Sequence, residues 1–531
     1  FFSKYGYAII IKELITTHNW RYYMTKIYKF CSKGALILSL IFMSILVLSA
    51  FLITSYVDEM AVQAVKLKFD SPFVGALGII LFCALFGSIL YLARKNLSLV
   101  KKILLLCVSI WILIVGVILI FWCRTIPAAD PYTVYHISQL LAIGDTSVIH
   151  PTQSYLSYYP QQIGLVAFFE PLIRLWNLLP IKYEAYHFLK IIYVFLGLLI
   201  FYFQYLTVRF LFKSDKAEII YLCMAGLNFP FLMYTSFIYS EIPSFTAASA
   251  GLYYFFKMLV SIKHAKGKSP IGYTMLSLLL LTLSVMLRKN SLILIIAVVL
   301  ISFLLWLKDH KKYILLFFTI SCALCSMSIL PATQHIYEVR AGNTLSSGVP
   351  AMNYFAMGMQ DSGRGCGWYN AFNIITYEET GLNAEKSIEI SKNAIAERLD
   401  YFRENPDYAV HFYLQKFLGQ WTDGSYACRQ AIQANFGGRH AFFDAIFEGE
   451  LGPAFVEYCN ALQNILYLGS LFFCIGLLRN RISSKADTLA LLVGVITAFG
   501  GFLFHMLWEA SGRYIFPYGM ILVPFAARGL E

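Results

Sequence analysis

The sequence is 531 residues long, 59% hydrophobic and only 14% charged. A water-soluble globule cannot bury that much apolar side chain, so lipid is the main solvent. The net charge of +12 is spread over short basic runs between apolar segments. That spread marks membrane topology and excludes a nucleic-acid partner, because no single face or domain gathers the cations.

Residues 1–33 carry Lys12, Arg21, Lys26, Lys29 and Lys33 and read as a cytoplasmic amphipathic lead-in without a cleavable signal peptide. Spans are expected at Gly34 to Tyr56, Pro72 to Ala93 and Ile103 to Cys123. Arg94, Lys95, Lys101 and Lys102 place the turn between the second and third inside, so Asp130 emerges outside. Asp130 and Pro131 predict a helix start, with Asp130 at the N-cap and Pro131 at the first helical position. Val134, Ile137 and Leu141 share one face of that helix and Gly144 can cap its end. The result is a short amphipathic helix along the membrane surface with a carboxylate at its head.

The segment Gln161 to Pro180 holds Glu170, Pro171 and Arg174 in its middle. A crossing here would put every later basic loop outside, whereas a juxtamembrane or re-entrant helix puts them inside, as the charge rule requires. Further spans are then expected at Tyr186 to Val208, Ala217 to Phe237, Ile242 to Leu259, Ile271 to Leu287, Ser291 to Leu307 and Tyr313 to Leu330. Lys263, Lys266 and Lys268 mark one of the inner loops. Pro331 to Asn460 is a long polar outer segment, and Ala461 to Leu478, Thr488 to Trp508 and Tyr514 to Ala527 complete the chain. The fold class is an all-α polytopic membrane protein of about twelve transmembrane helices, with a mixed, mostly helical soluble segment on its outer face. Its expected divisions are the lead-in 1–33, a transmembrane module 34–330 with an outer loop 124–185, an extracytoplasmic domain 331–460 and C-terminal transmembrane helices 461–531. No inverted repeat of the transporter kind is visible. The 11 cysteines lack metal-ligand spacing, and the outer three, Cys366, Cys428 and Cys459, leave any pairing open.

On this topology the unusual polar residues collect at the outer face: Asp130, the Tyr239-Ser240-Glu241 turn, Arg288-Lys289-Asn290, and Glu509 with Arg513. Ionisable groups converging at a membrane edge point to a functional site. Asp130 and Glu241 can supply a general base and, together, oxygen ligands for a divalent cation, Mg2+ or Mn2+. Arg288, Lys289 and Arg513 can hold a lipid phosphate or diphosphate and stabilise charge on it as it departs. Tyr158, Tyr159, Tyr239 and Glu509 are candidate substrate contacts. Plainer roles stand beside these: a helix cap for Asp130, a helix-dipole partner for Glu241, a snorkelling pair for Arg288-Lys289, and an i,i+4 pair for Glu509 with Arg513. For Tyr155, Tyr158 and Tyr159 the plainer role is an interfacial aromatic belt. His136 and His505 receive no role.

From about Ile103 onward the chain resembles the GT-C superfamily of integral-membrane glycosyltransferases, in particular bacterial proteins similar to protein O-mannosyltransferases and aminoarabinose transferases. The matching features are Asp130 with its amphipathic helix, Tyr158-Tyr159-Pro160, Tyr239-Ser240-Glu241, Arg288-Lys289, and Glu509 to Tyr514 with Pro517. The resemblance implies a sugar moved from a polyprenyl-phosphate-linked donor to a glycan, lipid or protein acceptor outside a bacterial cytoplasmic membrane. It makes Asp130 the base and gives Glu241 a part in binding metal or acceptor. Two spans precede the one before Asp130, where relatives usually begin, and Glu stands at 241 in place of the more usual Asp. Ala351 to Met359 with Gly367 to Asn370, rich in glycine and aromatics, reads as a covering loop or as a plain turn. The other class of function is a transporter or flippase for a polyprenyl-linked saccharide, which calls for mid-membrane charges and repeated halves. A ligase for preassembled glycans would share the transferase chemistry.

Overall fold

Apolar runs become helix almost throughout the computed structural model, which describes residues 17–57, 64–263 and 270–531. Lys12, Lys266 and Lys268 lie outside the described residues. Helix α1 (Thr17–Leu52) leads into an antiparallel hairpin of β1 (Ile53–Val57) and β2 (Val65–Phe69), followed by α2 (Pro72–Ala93) and α3 (Leu97–Ile118). The end of α3 widens into a π turn over Leu119–Cys123 and stops at Arg124, which takes a left-handed backbone. Next come α4 (Asp130–Ala142), α5 (Tyr155–Tyr158), α6 (Ile163–Asn177), α7 (Ala185–Phe212), α8 (Asp215–Gly226) and α9 (Phe229–Tyr234). Helices α10 (Glu241–Lys263), α11 (Pro270–Leu287), α12 (Leu292–Lys308) and α13 (Tyr313–Ala341) follow. The polar segment holds α14 (Ala351–Gly358), the small pair β3 (Asp361–Ser362) and β4 (Gly365–Cys366), α15 (Phe372–Glu379), α16 (Ala384–Glu404), α17 (Pro406–Trp421), α18 (Cys428–Ala431) and α19 (Ala441–Phe447). The chain returns through α20 (Leu451–Leu478), α21 (Thr488–Leu491), α22 (Val493–Leu507) and α23 (Gly512–Gly529).

Among the described residues, nine helices are long and apolar enough to cross a membrane: α1, α2, α3 with its π turn, α7, α10, α11, α12 with the short turn before it (Lys289–Lys308), α13 and α20. The other three expected spans take other helical forms. Ala217 to Phe237 is broken between α8 and α9, where the Asn228 side chain accepts from the Phe231 N–H and Pro230 starts the new helix. Thr488 to Trp508 is the pair α21 and α22, and Tyr514 to Ala527 lies inside α23. Helix α6 has 15 residues, short of the roughly 20 that a crossing needs. Its Glu170 is buried and pairs with Arg174 at 2.7 Å and Arg340 at 2.6 Å, while Tyr337 donates to it at 2.6 Å. Both arginines also donate to the Leu141 carbonyl, each at 2.8 Å, so cations close the C-terminal turn of α4.

Burial sorts the helices. Helix α2 buries only Phe82, Phe86 and Ala93, which leaves its apolar surface for lipid. Helix α23, with Pro517 and Pro524 inside it, is buried along most of its length and packs on α20. One contiguous core runs through the bundle, and a small satellite of Met359, Phe402 and Phe412 lies under the polar segment. Ile53 to Tyr56 was expected to finish the first span but forms a strand, because the β-branched and alternating sequences ITSYV and VKLKF pair with each other. That hairpin also bonds the polar segment, through Ser55 N–H to Thr422 O at 3.2 Å and Val65 N–H to Arg364 O at 2.8 Å.

Candidate active site

Asp130 is the first residue of α4, and the N-cap position belongs to Ala129 rather than to Asp130 as expected. Ala129 holds φ 51° and ψ −132°, a conformation costly for a residue with a Cβ and one that clusters at functional sites. This backbone turns Asp130 into the first helical turn, where no side chain caps the helix. The Asp130 carboxylate is exposed and, among the described residues, makes no hydrogen bond or ion pair. The helix-cap role is therefore not the one its side chain plays.

Six groups sense the Asp130 charge: Tyr155, Tyr159, Tyr239, Tyr354, Tyr369 and Glu509. They come from five separate stretches of chain, so the fold gathers them around one carboxylate. Tyr155 and Tyr159 lie one helical turn apart with ring centroids 4.8 Å from each other. Tyr239 is buried; its hydroxyl accepts from the Gln162 amide at 2.5 Å, and its carbonyl accepts from the Tyr193 hydroxyl at 2.6 Å. Tyr354 stacks on Trp508 with centroids 4.6 Å apart. Arg364 lies over the Tyr369 ring at 5.4 Å. Burial raises the Tyr159 and Tyr354 hydroxyls well above the ordinary range, and the nearby carboxylates add to it.

Glu509 sits in the turn between α22 and α23 and accepts from the Tyr514 hydroxyl at 3.2 Å. Burial raises its carboxyl to about 7; Arg513 and the Tyr514 bond oppose the rise, and the Asp130 charge adds to it. Asp130 and Glu509 are thus two carboxyl groups in unlike settings, one exposed and one half-buried, which is how acid and base roles are divided. Burial pushes the Lys416 ammonium, on α17, down to about 7, against the pull of Glu509 and Cys366.

A second cluster adjoins the first. The Glu241 side chain is fully enclosed at the start of α10, with Arg288 Nη1 2.7 Å and Arg513 Nε 3.5 Å from its Oε1. Neither contact has hydrogen-bond alignment, and Glu241 Oε2 has no hydrogen-bond partner. Glu241 and Arg288 line a small, mostly apolar cavity together with Ser244, Asn290, Thr497 and Tyr514. Arg288 itself is extended, at φ −155°, which breaks α11 from a 3-10 turn over Lys289–Ser291 and then α12. The Arg513 guanidinium lies 5.7 Å from the Tyr239 ring and so joins the two clusters.

The sequence-predicted residues therefore divide. Asp130, Tyr159, Tyr239 and Glu509 meet, and Glu241, Arg288 and Arg513 meet beside them. Lys289 is exposed and joins no ion pair among the described residues. Tyr158 turns away, edge-on to Tyr377 at 6.1 Å. Glu241 is not the open second carboxylate expected of a base or cation ligand, since the two arginines neutralise it. Among the described residues no three His, Cys, Asp or Glu side chains group to hold a metal ion. The donors present do not fit the divalent cation expected at Asp130 and Glu241, because Glu241 is closed between two arginines while Asp130 stands exposed. All eleven cysteines are free thiols. Sequence reasoning missed Gln162, Arg364 and Lys416 as parts of this region. Tyr155 was legible as the partner one turn before Tyr159, and Tyr354 and Tyr369 lie in the two aromatic stretches expected to cover the site. Nothing in the local sequence marks Lys416.

Helices of membrane-crossing length, a polar segment closing over one end, and a carboxylate-centred polar site define a polytopic integral membrane protein. The chain belongs to the family described as "conserved hypothetical integral membrane protein", which matches residues 29–527. No curated protein matches it. Among solved structures it is similar to the archaeal oligosaccharyltransferase AglB from Archaeoglobus fulgidus in complex with an inhibitory peptide and a dolichol-phosphate, at 16% identity and a TM-score of 0.44, covering 81% of this chain and 50% of that one. The apo form of the Archaeoglobus fulgidus oligosaccharyltransferase is similar at 14% identity and a TM-score of 0.44, again over 81% of this chain and 50% of that one. This chain thus spans about half the length of those proteins.

Proposed function

We propose that the protein is a membrane glycosyltransferase of the GT-C kind that moves a sugar from a polyprenyl-phosphate-linked donor to an acceptor hydroxyl. The observation that carries this reading is the unpaired Asp130 carboxylate at the head of α4, facing Glu509 and a wall of tyrosines. Asp130 takes the proton from the acceptor hydroxyl as its oxygen bonds to the anomeric carbon. The bond from that carbon to the phosphate oxygen breaks, and the electron pair leaves with the polyprenyl phosphate. Glu241 neutralises one of the two arginines it touches. One positive charge is left over in the cluster, and with the exposed Lys289 it holds the leaving phosphate. Tyr159, Tyr239 and the Tyr354–Trp508 stack offer ring faces and hydroxyls to the sugar. The acceptor is a cell-envelope glycan, lipid or protein, and the site opens to the outside of a bacterial cytoplasmic membrane.

The test has two parts. Membranes carrying the protein are given a panel of radiolabelled polyprenyl-phosphate sugars together with envelope acceptors, and label should move to an acceptor from at least one donor. Facing of the site is read by reporter fusions at Lys213, expected inside, and near Leu382, expected outside. Label that crosses the bilayer still attached to its polyprenyl phosphate, without transfer, would replace this reading with a flippase.

A further inference from the structure

Lys416 is fully buried on α17 and, among the described residues, forms no salt bridge. Its ammonium donates instead to two backbone carbonyls, Gly358 O and, at 3.0 Å, Met506 O. These carbonyls belong to the C-terminal turns of α14 and α22, where orphan acceptors and the negative end of the helix dipole favour a cation. Each helix carries part of the site: α14 bears Tyr354, and α22 runs out through Trp508 into Glu509. A third strand of chain enters the same joint. Gly367 donates its N–H to Gln360 O at 2.8 Å and accepts from Ala510 N–H at 2.8 Å. Gly367 has φ +70°, and a Cβ there would lie 2.6 Å from Gly358 O and 2.7 Å from Lys416 Cε. No side chain fits at Gly367, so beside the Tyr354–Trp508 stack the segments meet there by backbone and by one ammonium group.

We propose that Lys416 is a positioning residue, which locks the covering segment 351–370 to the Glu509 turn so that Tyr354, Tyr369 and Glu509 face Asp130 as one rigid wall. Only its kinetic consequence rests on the glycosyltransferase reading; the lock itself is a mechanical property of the chain.

Hydrogen exchange on the purified full chain tests it, wild type beside Lys416→Met. Amides of 351–370 and of 504–512 should both exchange about tenfold faster or more, while α20 keeps its protection. Lys416→Arg, which keeps donors at this position, should restore part of the protection. Wild-type exchange in either segment would overturn the proposal. In the transfer assay Lys416→Met should lower kcat about tenfold with the donor KM within about threefold, the split expected when reacting groups are misplaced. A wild-type kcat despite loosened exchange would also overturn it. Where Lys416→Met does not insert, Gly367→Ala strains the same joint and should show the same paired loosening, and wild-type exchange there would sink the lock. Loosened exchange in a protein whose wild type transfers nothing would defeat the glycosyltransferase reading and leave the lock standing.

Discussion

Removing one member of the Glu241–Arg288–Arg513 cluster should damage the protein out of proportion to the size of the change. The Glu241 side chain has no exposure and that of Arg288 only 10%, with 2.7 Å between them, whereas Arg513 is 26% exposed and stands 3.5 Å away. Arg288→Met leaves a buried carboxylate with only the longer contact. The expected loss is about 3–5 kcal/mol, the range for breaking a buried pair from one side. Arg513→Met should cost clearly less, because its contact with Glu241 is longer and Arg288 stays in place. Glu241→Gln combined with Arg288→Met removes both charges and should cost less than the sum of the single losses, with a coupling of about 2 kcal/mol. The assay is equilibrium unfolding in detergent micelles for wild type, the singles and the double. Single losses below about 1 kcal/mol, or additive ones, would mean that the pair behaves like an exposed surface bridge, and the enclosure argued for Glu241 would be wrong.

Other consequences can be checked on the same preparations. Glu509 has its carboxyl raised from 4.5 to about 7, so the native state binds more protons than the unfolded chain between those values. The contribution of Glu509 should be full below pH 4.5 and be lost as pH rises through 7, by at most about 3 kcal/mol, and Glu509→Gln should remove that part of the pH dependence in thermal unfolding. Gly164 lies where α6 meets the end of α11, and a Cβ there would stand 1.8 Å from the Met286 carbonyl oxygen. Gly164→Ala should therefore cost more than about 2 kcal/mol, because backbone cannot yield as a side-chain tip does; a wild-type unfolding midpoint would contradict this. Lys289→Met should leave the unfolding midpoint unchanged and raise the donor KM, more at low salt than at high, as expected of an exposed charge.

The sequence carried the helices well because lipid demands long apolar runs, and such runs are visible without knowing what they touch. It failed at the breaks. Asn228 with Pro230 divides an apparent span, and Ile53 to Val57 pairs as a strand although it continues an apolar run. In the site, Asp130, Arg288 and Glu509 could be picked out because charge next to a span is rare. What could not be read was direction. Tyr158 and Tyr159 are neighbours in sequence, yet one turns to Tyr377 and the other to Asp130. Glu241 and Asp130 look alike in sequence, but one is sealed between arginines and the other is open. Lys416 was invisible for a related reason: a lysine on a polar helix ordinarily points to water, and only the packing of α17 under α22 buries this one.

Glycosyl transfer by Asp130→Asn beside wild type, in membranes with equal amounts of each protein and the donor that wild type turns over, bears most directly on the role given to that carboxylate. Asp130 is exposed and unpartnered, so the substitution should leave the unfolding midpoint where it was. Turnover should fall about a hundredfold or more, since the group that accepts the proton is gone. Turnover within a few-fold of wild type, at an unchanged midpoint, would contradict Asp130 as the base and leave the site without its chemistry.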